Sequence, residues 1–121
     1  MNNGLTLVVE DDRVNRSGLV RLLQYSGILV ESAATIAEAL DKLKLRPSII
    51  LLDLHLPDGV GTRVLEQVQT MTPRPKVCVL TGSATSETLS QVREMGPDEI
   101  MLKPVHYEPL LEWVKSAQNG G

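Results

Sequence analysis

The sequence contains no phenylalanine, and its aromatic fraction of 2% is confined to Tyr25, Tyr107 and Trp113. Any packed interior must therefore be aliphatic. There is one cysteine, Cys78, which excludes a disulfide framework; its place in the apolar run Val77 to Leu80 reads as a buried, reduced thiol. No run approaches the roughly 20 apolar residues of a spanning helix. Met1-Asn2-Asn3-Gly4 has neither the basic nor the apolar region of a secretory signal, so the cytoplasm is the expected compartment and no membrane is expected as a partner. A basic excess is missing too. Lysine and arginine number 12 against 15 acidic residues, for a formal charge of −3, and no basic run is interleaved with aromatics. Direct nucleic-acid contact by this segment is not expected.

What is present is the balance of a folded domain: 121 residues, 42% hydrophobic and 22% charged. A chain of this size buries roughly two-thirds of its unfolded surface and needs no metal or disulfide staple. Short apolar runs recur at Leu5 to Val9, Ile28 to Val30, Ile49 to Leu52, Val77 to Leu80 and Ile100 to Leu102, each too brief for a helix. Segments of helical length lie between and after them: Val14 to Tyr25, Ile36 to Leu45, Thr62 to Met71, Ser86 to Met95 and Tyr107 to Ala117. Asp12 can cap the first helix and Gly27 follows its end; Val14, Gly18 and Leu22, with Leu19 and Leu23 beside them, make the expected inward stripe. Thr35-Ile36-Ala37-Glu38 is a capping-box pattern, and Pro47 keeps the second helix out of the next strand. On the last helix, Trp113 is expected to pack beside Leu110, Leu111 and Val114. Near-continuous apolar strands alternating with helices indicate an α/β fold, a parallel sheet covered on both faces.

In such a sheet the residues that do chemistry collect at the carboxyl ends of the strands. Strand one is followed by Glu10-Asp11-Asp12, strand three by Asp53, strand four by Thr81-Gly82-Ser83 and strand five by Lys103-Pro104. Glu10, Asp11 and Asp53 would put three carboxylates on one edge, where mutual repulsion calls for a cation or a raised pKa. Oxygen donors without histidine or cysteine at ligand spacing favour Mg²⁺, with Asp12 assigned to capping. Thr81 adds a hydroxyl and Lys103 a compact positive charge. Together these are the equipment for forming an aspartyl phosphate with Asp53 as nucleophile. The turn-rich segment Leu54 to Gly59 after Asp53 is expected to expose its side chain.

Val8-Val9-Glu10-Asp11-Asp12, Leu51-Leu52-Asp53-Leu54-His55-Leu56-Pro57-Asp58-Gly59, Leu80-Thr81-Gly82 and Leu102-Lys103-Pro104, in that order and each at a different strand end, resemble the receiver domain of two-component response regulators. The resemblance runs from Leu5 to about Ala117. It implies a three-layer, doubly wound, flavodoxin-like sandwich, with a five-stranded parallel sheet of order 2-1-3-4-5 and five helices. It implies one receiver domain over residues 1–121, with 118–121 a tail or linker stub. It implies that Asp53 accepts a phosphoryl group from the phosphohistidine of a sensor histidine kinase or phosphotransfer protein. Asp11 and Asp53 would ligate Mg²⁺, Glu10 would hold it directly or through water, and the backbone carbonyl of His55 would be a further ligand. Thr81 and Lys103 would bond the phosphoryl group, and Lys103-Pro104 would be a cis peptide. An output domain or target protein, and a phosphorylation-dependent homodimer, are the implied downstream partners.

This chain departs from the family where receivers commonly carry a ring. Ile100 stands three residues before the lysine and Val105 follows the Lys-Pro pair, while Gly82 replaces the more usual alanine. Activation is accordingly expected to use the Thr81 loop and the fourth helix. The side chain of His55 is read as a surface residue, against a metal ligand or proton shuttle; with Ser83 it marks where phosphate lifetime would be tuned. Two other functions compete with the receiver. A phosphohydrolase using Asp53 would want a second aspartate where His55 stands, and a degenerate binding or dimerisation module would not keep every acidic, hydroxyl and lysine position.

Overall fold

The computed structural model describes residues 4–82 and 85–119. Chain order is β1 (Leu5–Val9), α1 (Arg13–Tyr25), β2 (Leu29–Ala33), α2 (Ile36–Lys42) with a 3₁₀ turn at Leu43–Leu45, and β3 (Ile49–Asp53). Then come β4 (His55–Leu56), β5 (Gly59–Val60), α3 (Thr62–Val68), β6 (Lys76–Thr81), α4 (Ser86–Glu94), β7 (Glu99–Leu102) and α5 (Tyr107–Asn119). The main sheet has the order β2-β1-β3-β6-β7, every pair parallel. Counted by its five members alone, that is the expected 2-1-3-4-5. The small ribbon of β4 with β5 is antiparallel and stands apart from it.

The alternation of side chains along each strand builds two aliphatic cores. Leu7, Val9, Ile50, Leu52, Val77 and Val79 face α2, α3 and α4, meeting Ile36, Ala39, Val64, Leu65, Val68 and Val92. Val8, Ile49, Leu51, Cys78 and Leu80 face α1 and α5, meeting Leu19, Leu23, Leu110, Val114 and Ala117. Burying each such side chain stabilises the fold by roughly 1.5–3 kcal/mol relative to leaving it in water. Cys78 is buried as expected, and burial pushes its thiol up to about 12. Trp113 is partly buried against the second core.

Three sequence expectations need correction. Within the α1 stripe Leu19 and Leu23 are buried as expected, whereas Val14 is 78% exposed; the i, i+4 series through Val14, Gly18 and Leu22 lies about 100° from the core line. The second strand is Leu29–Ala33, not Ile28 to Val30, and as the sheet edge it leaves Leu29 66% exposed. The segment after Asp53 is no plain loop but the β4–β5 ribbon, turning through Pro57-Asp58.

Helix caps fix the active edge of the sheet. Asp12 accepts from the amide of Asn15 at 2.8 Å at the start of α1, as its position predicted. Thr35 accepts from Glu38 N at 3.0 Å. The amides of Ile36 and Ala37 instead donate to the carboxylate of Asp58, at 2.8 and 3.1 Å. Three of the four amides that a helix start leaves without internal partners are thus satisfied at α2.

Candidate functional site

Register and strand period bring the candidate residues together. Val8 pairs with Leu51 and Val9 with Leu52, so the residues one step on, Glu10 and Asp53, lie side by side at the carboxyl edge. On the other side of β3, Asp53 pairs with Leu80, one step before Thr81. Thr81 pairs with Leu102, one step before Lys103, and the amide of Lys103 donates to the Thr81 carbonyl at 2.8 Å. Four strand ends therefore converge.

Carboxylate oxygens of Glu10, Asp11 and Asp53 lie within 4.8 Å of one another. Glu10 and Asp53 are buried and Asp11 is exposed. Lys103 Nζ donates to Glu10 Oε1 at 3.0 Å and to Asp53 Oδ2 at 2.9 Å. Burial, and then the neighbouring Asp53 carboxyl, push Glu10 up to about 7 against the opposing pull of Lys103. For Lys103, burial alone would lower the pKa; its bonds to Asp53 and Glu10 outweigh that and raise it. Three hard oxygen donors with the half-buried Lys103 bonded to two of them suit a divalent metal that retains its waters.

Asp53 is not exposed by a loop. It is the last residue of β3, 3% exposed, because the strand runs one residue further than its apolar run and Lys103 lies over the carboxylate. His55 joins the site through its backbone, its amide donating to Asp53 Oδ1 at 3.1 Å, while its side chain is exposed. Thr81 is fully buried at the end of β6. Ser83 lies outside the described residues.

The departures at ring positions have distinct surroundings. Ile100 is partly buried against the α2–α4 side core. Val105 packs on the other core and, with Leu19 and Tyr107, lines a cavity of about 520 Å³ that reaches Glu10 and Lys103. A methyl group on Gly82 would stand 3.7 Å from Lys103 Cδ, an ordinary contact. Lys103–Pro104 is cis.

Two residues of the site carry no sequence motif. Gly61 donates its amide to the Leu54 carbonyl at 2.7 Å, and its Cα lies so close under Asp53 that a Cβ would meet the Asp53 carbonyl oxygen at 2.5 Å. Arg16 reaches back from α1 to the acidic turn, Nη1 donating to the carbonyl oxygens of Glu10 at 2.9 Å and Asp11 at 3.1 Å.

The model of the response regulator receiver domain matches residues 6–115. The acid tolerance regulatory protein ActR of Rhizobium meliloti is 31% identical over 106 residues, covering 87% of this chain and 55% of that protein. The transcriptional regulatory protein PrrA of Mycobacterium tuberculosis is 33% identical over 121 residues, covering 96% and 52%. This chain thus spans about half the length of these relatives. Among solved structures, a CheY-like response regulator receiver domain protein from Methanospirillum hungatei superposes with a TM-score of 0.87 at 31% identity, covering 97% of this chain and 98% of that one. A response regulator receiver protein from Pseudomonas putida gives 0.87 at 28% identity, covering 96% and 98%.

Proposed function

The chain belongs to the response regulator receiver domain family, and we propose that within it Asp53 accepts a phosphoryl group from the phosphohistidine of a sensor histidine kinase or phosphotransfer protein. The observation that carries this reading is the convergence of Glu10, Asp11 and Asp53, with Lys103 bonded to two of the three. An Asp53 oxygen attacks phosphorus, the P–N bond to the donor imidazole breaks, and its electron pair returns to the ring nitrogen, which takes up a proton. Lys103 pairs with one oxygen of the transferred group and the Thr81 hydroxyl donates to another. Glu10, Asp11, Asp53 and the His55 carbonyl would hold Mg²⁺, which when bound would supply positive charge to offset that of the incoming phosphoryl group. Water later attacks the aspartyl phosphate and releases inorganic phosphate, so no external metabolite is turned over.

Residues 1–121 are read as one receiver domain with its core at about 5–117. Its phosphorylation state acts on an output domain or a separate target in the cytoplasm, an assignment supported by the regulatory names of the relatives that extend beyond the matched part. No helix among the described residues is long and apolar enough to cross a membrane.

Incubation with Mg²⁺ and acetyl phosphate tests the reading. The expected product carries one phosphoryl group per chain, labile as an acyl phosphate, and forms neither without Mg²⁺ nor in Asp53→Asn. Rapid multiple turnover of phosphomonoesters would replace the receiver with a phosphohydrolase. Equal labelling of Asp53→Asn, or none of wild type, would reduce the domain to a binding module.

A further inference from the structure

The three carboxylates are held by different means. Glu10 and Asp53 are buried and share Lys103. Asp11 is exposed, and its position depends on the course of the backbone from Glu10 to Asp12. The amide of Glu10 donates to the Ala33 carbonyl at 3.0 Å and that of Asp12 to Glu10 Oε2 at 3.4 Å, and two further attachments bear on that course. Asp12 anchors its far end to the first turn of α1 through Asn15 N, and Arg16 binds the two peptide carbonyls at its centre through a single nitrogen. Two consecutive carbonyl oxygens that converge on one donor fix the orientation of two successive peptide planes. The rotation of the backbone that carries the Asp11 side chain is then no longer free. Because guanidinium donors to neutral carbonyls form charge-assisted bonds, the contact is roughly twice as strong as an amide–carbonyl bond.

We propose that Arg16 is a positioning residue for the metal site: it holds the Glu10–Asp11 turn so that the Asp11 carboxylate stays in reach of Glu10 and Asp53 before any cation arrives. This rests on the reading of those three carboxylates as the Mg²⁺ ligands. A turn already set in the metal-free protein binds without first ordering its backbone, and loosening such outer supports typically weakens metal binding by about 10–100-fold. Arg16 touches neither the phosphoryl group nor the carboxylate oxygens in this role; it acts through the backbone. Since Nη1 alone makes both bonds, a lysine ammonium can replace it, whereas the shorter, neutral side chain of glutamine cannot do so with charge assistance.

The test is calorimetric titration of Mg²⁺ into wild type, Arg16→Gln and Arg16→Lys, with thermal midpoints measured in chelator alongside. The expected result is a Kd about tenfold weaker for Arg16→Gln and recovery to within about threefold of wild type for Arg16→Lys, with metal-free midpoints close to one another. Unchanged Mg²⁺ affinity in Arg16→Gln, with or without a lower midpoint, overturns the proposal and leaves Arg16 a structural residue. Should Arg16→Gln not fold, Arg16→Lys decides alone: affinity near that of wild type upholds the role, and affinity as weak as that of Asp11→Asn rejects it. Wild type that binds no Mg²⁺ would instead remove the underlying reading of the site.

Discussion

The ammonium of Lys103 stands 2.9 Å from Asp53 Oδ2, two residues fifty apart in the chain joined at the carboxyl edge of the sheet. Asp53 and Glu10 are almost wholly shielded from water, and the lysine is the cation that both carboxylates share. In Lys103→Met that charge is lost while both acids stay buried. Burial without a partner costs about 1–3 kcal/mol, at the lower end here because Glu10, already pushed up to about 7, can take a proton. The denaturation midpoint in chelator is expected to fall accordingly. Phosphoryl uptake from acetyl phosphate with Mg²⁺ is expected to slow by about 10²-fold, as for loss of a preorganised donor to a developing charge. Unchanged uptake would remove Lys103 from the proposed chemistry.

Gly61 predicts a different failure. An alanine methyl would press against the Asp53 carbonyl oxygen at 2.5 Å and Leu54 Cα at 3.2 Å, both backbone atoms that no side-chain rotation can clear. Gly61→Ala is expected to destabilise the fold by about 1–3 kcal/mol through overpacking and to slow phosphoryl uptake by displacing Asp53. Gly82→Ala serves as the comparison. There the added methyl makes only ordinary contacts with Lys103 among the described residues, at 3.7 Å from Cδ and 3.8 Å from Cβ, so midpoint and uptake should stay near wild type.

Much of this site could be read from the sequence because its residues follow apolar runs, and a parallel sheet gathers the ends of such runs at one edge. That logic alone places Glu10, Asp53, Thr81 and Lys103. It does not reach Arg16, Asp58 and Gly61, since what they do is set by partners that no local pattern reveals. Asp58 caps a helix that begins 22 residues earlier in the chain. Gly61 looks like an ordinary turn glycine until the Asp53 carbonyl is seen above it. The exposed part of the α1 stripe has a related cause. Leu19-Leu23 and Gly18-Leu22 have the same spacing, and only docking against β1, β2 and α5 decides that the first pair is fully buried. The β4–β5 ribbon has no sequence signal, because two-residue strands are too short to show alternation.

Asp58 gives a prediction in pH. The amide bonds from Ile36, and with them that from Ala37, hold its carboxyl below the ordinary aspartate value of 3.8. A depressed folded-state pKa contributes stability that is present above the unfolded pKa and is lost as pH falls through the folded value. Asp58→Asn keeps one acceptor but cannot titrate. It should therefore melt below wild type at neutral pH, with the gap closing as both are acidified to about pH 3. A gap that stays constant with pH would show that the carboxylate charge contributes nothing to the cap.

The last prediction concerns Gly18 in the middle of α1 and the Tyr107 hydroxyl that leans over it. A mid-helix glycine costs roughly 0.5–1 kcal/mol relative to alanine, so Gly18→Ala ought to stabilise α1. The new Cβ would however meet Tyr107 Oη at 2.8 Å, while the ring carbon that bears it stays 3.9 Å away. The obstruction is one oxygen at the end of a side chain that is 48% exposed and can move. In the wild-type background the gain should therefore be partly offset by the displaced tyrosine. In Tyr107→Phe the oxygen is gone and the same substitution should show its full helix gain. The double-mutant cycle is expected to give a coupling of about 0.5 kcal/mol or more, favouring the alanine–phenylalanine pair. Additive effects would mean that the hydroxyl yields without cost, and that α1 and the start of α5 are not held in register by this contact.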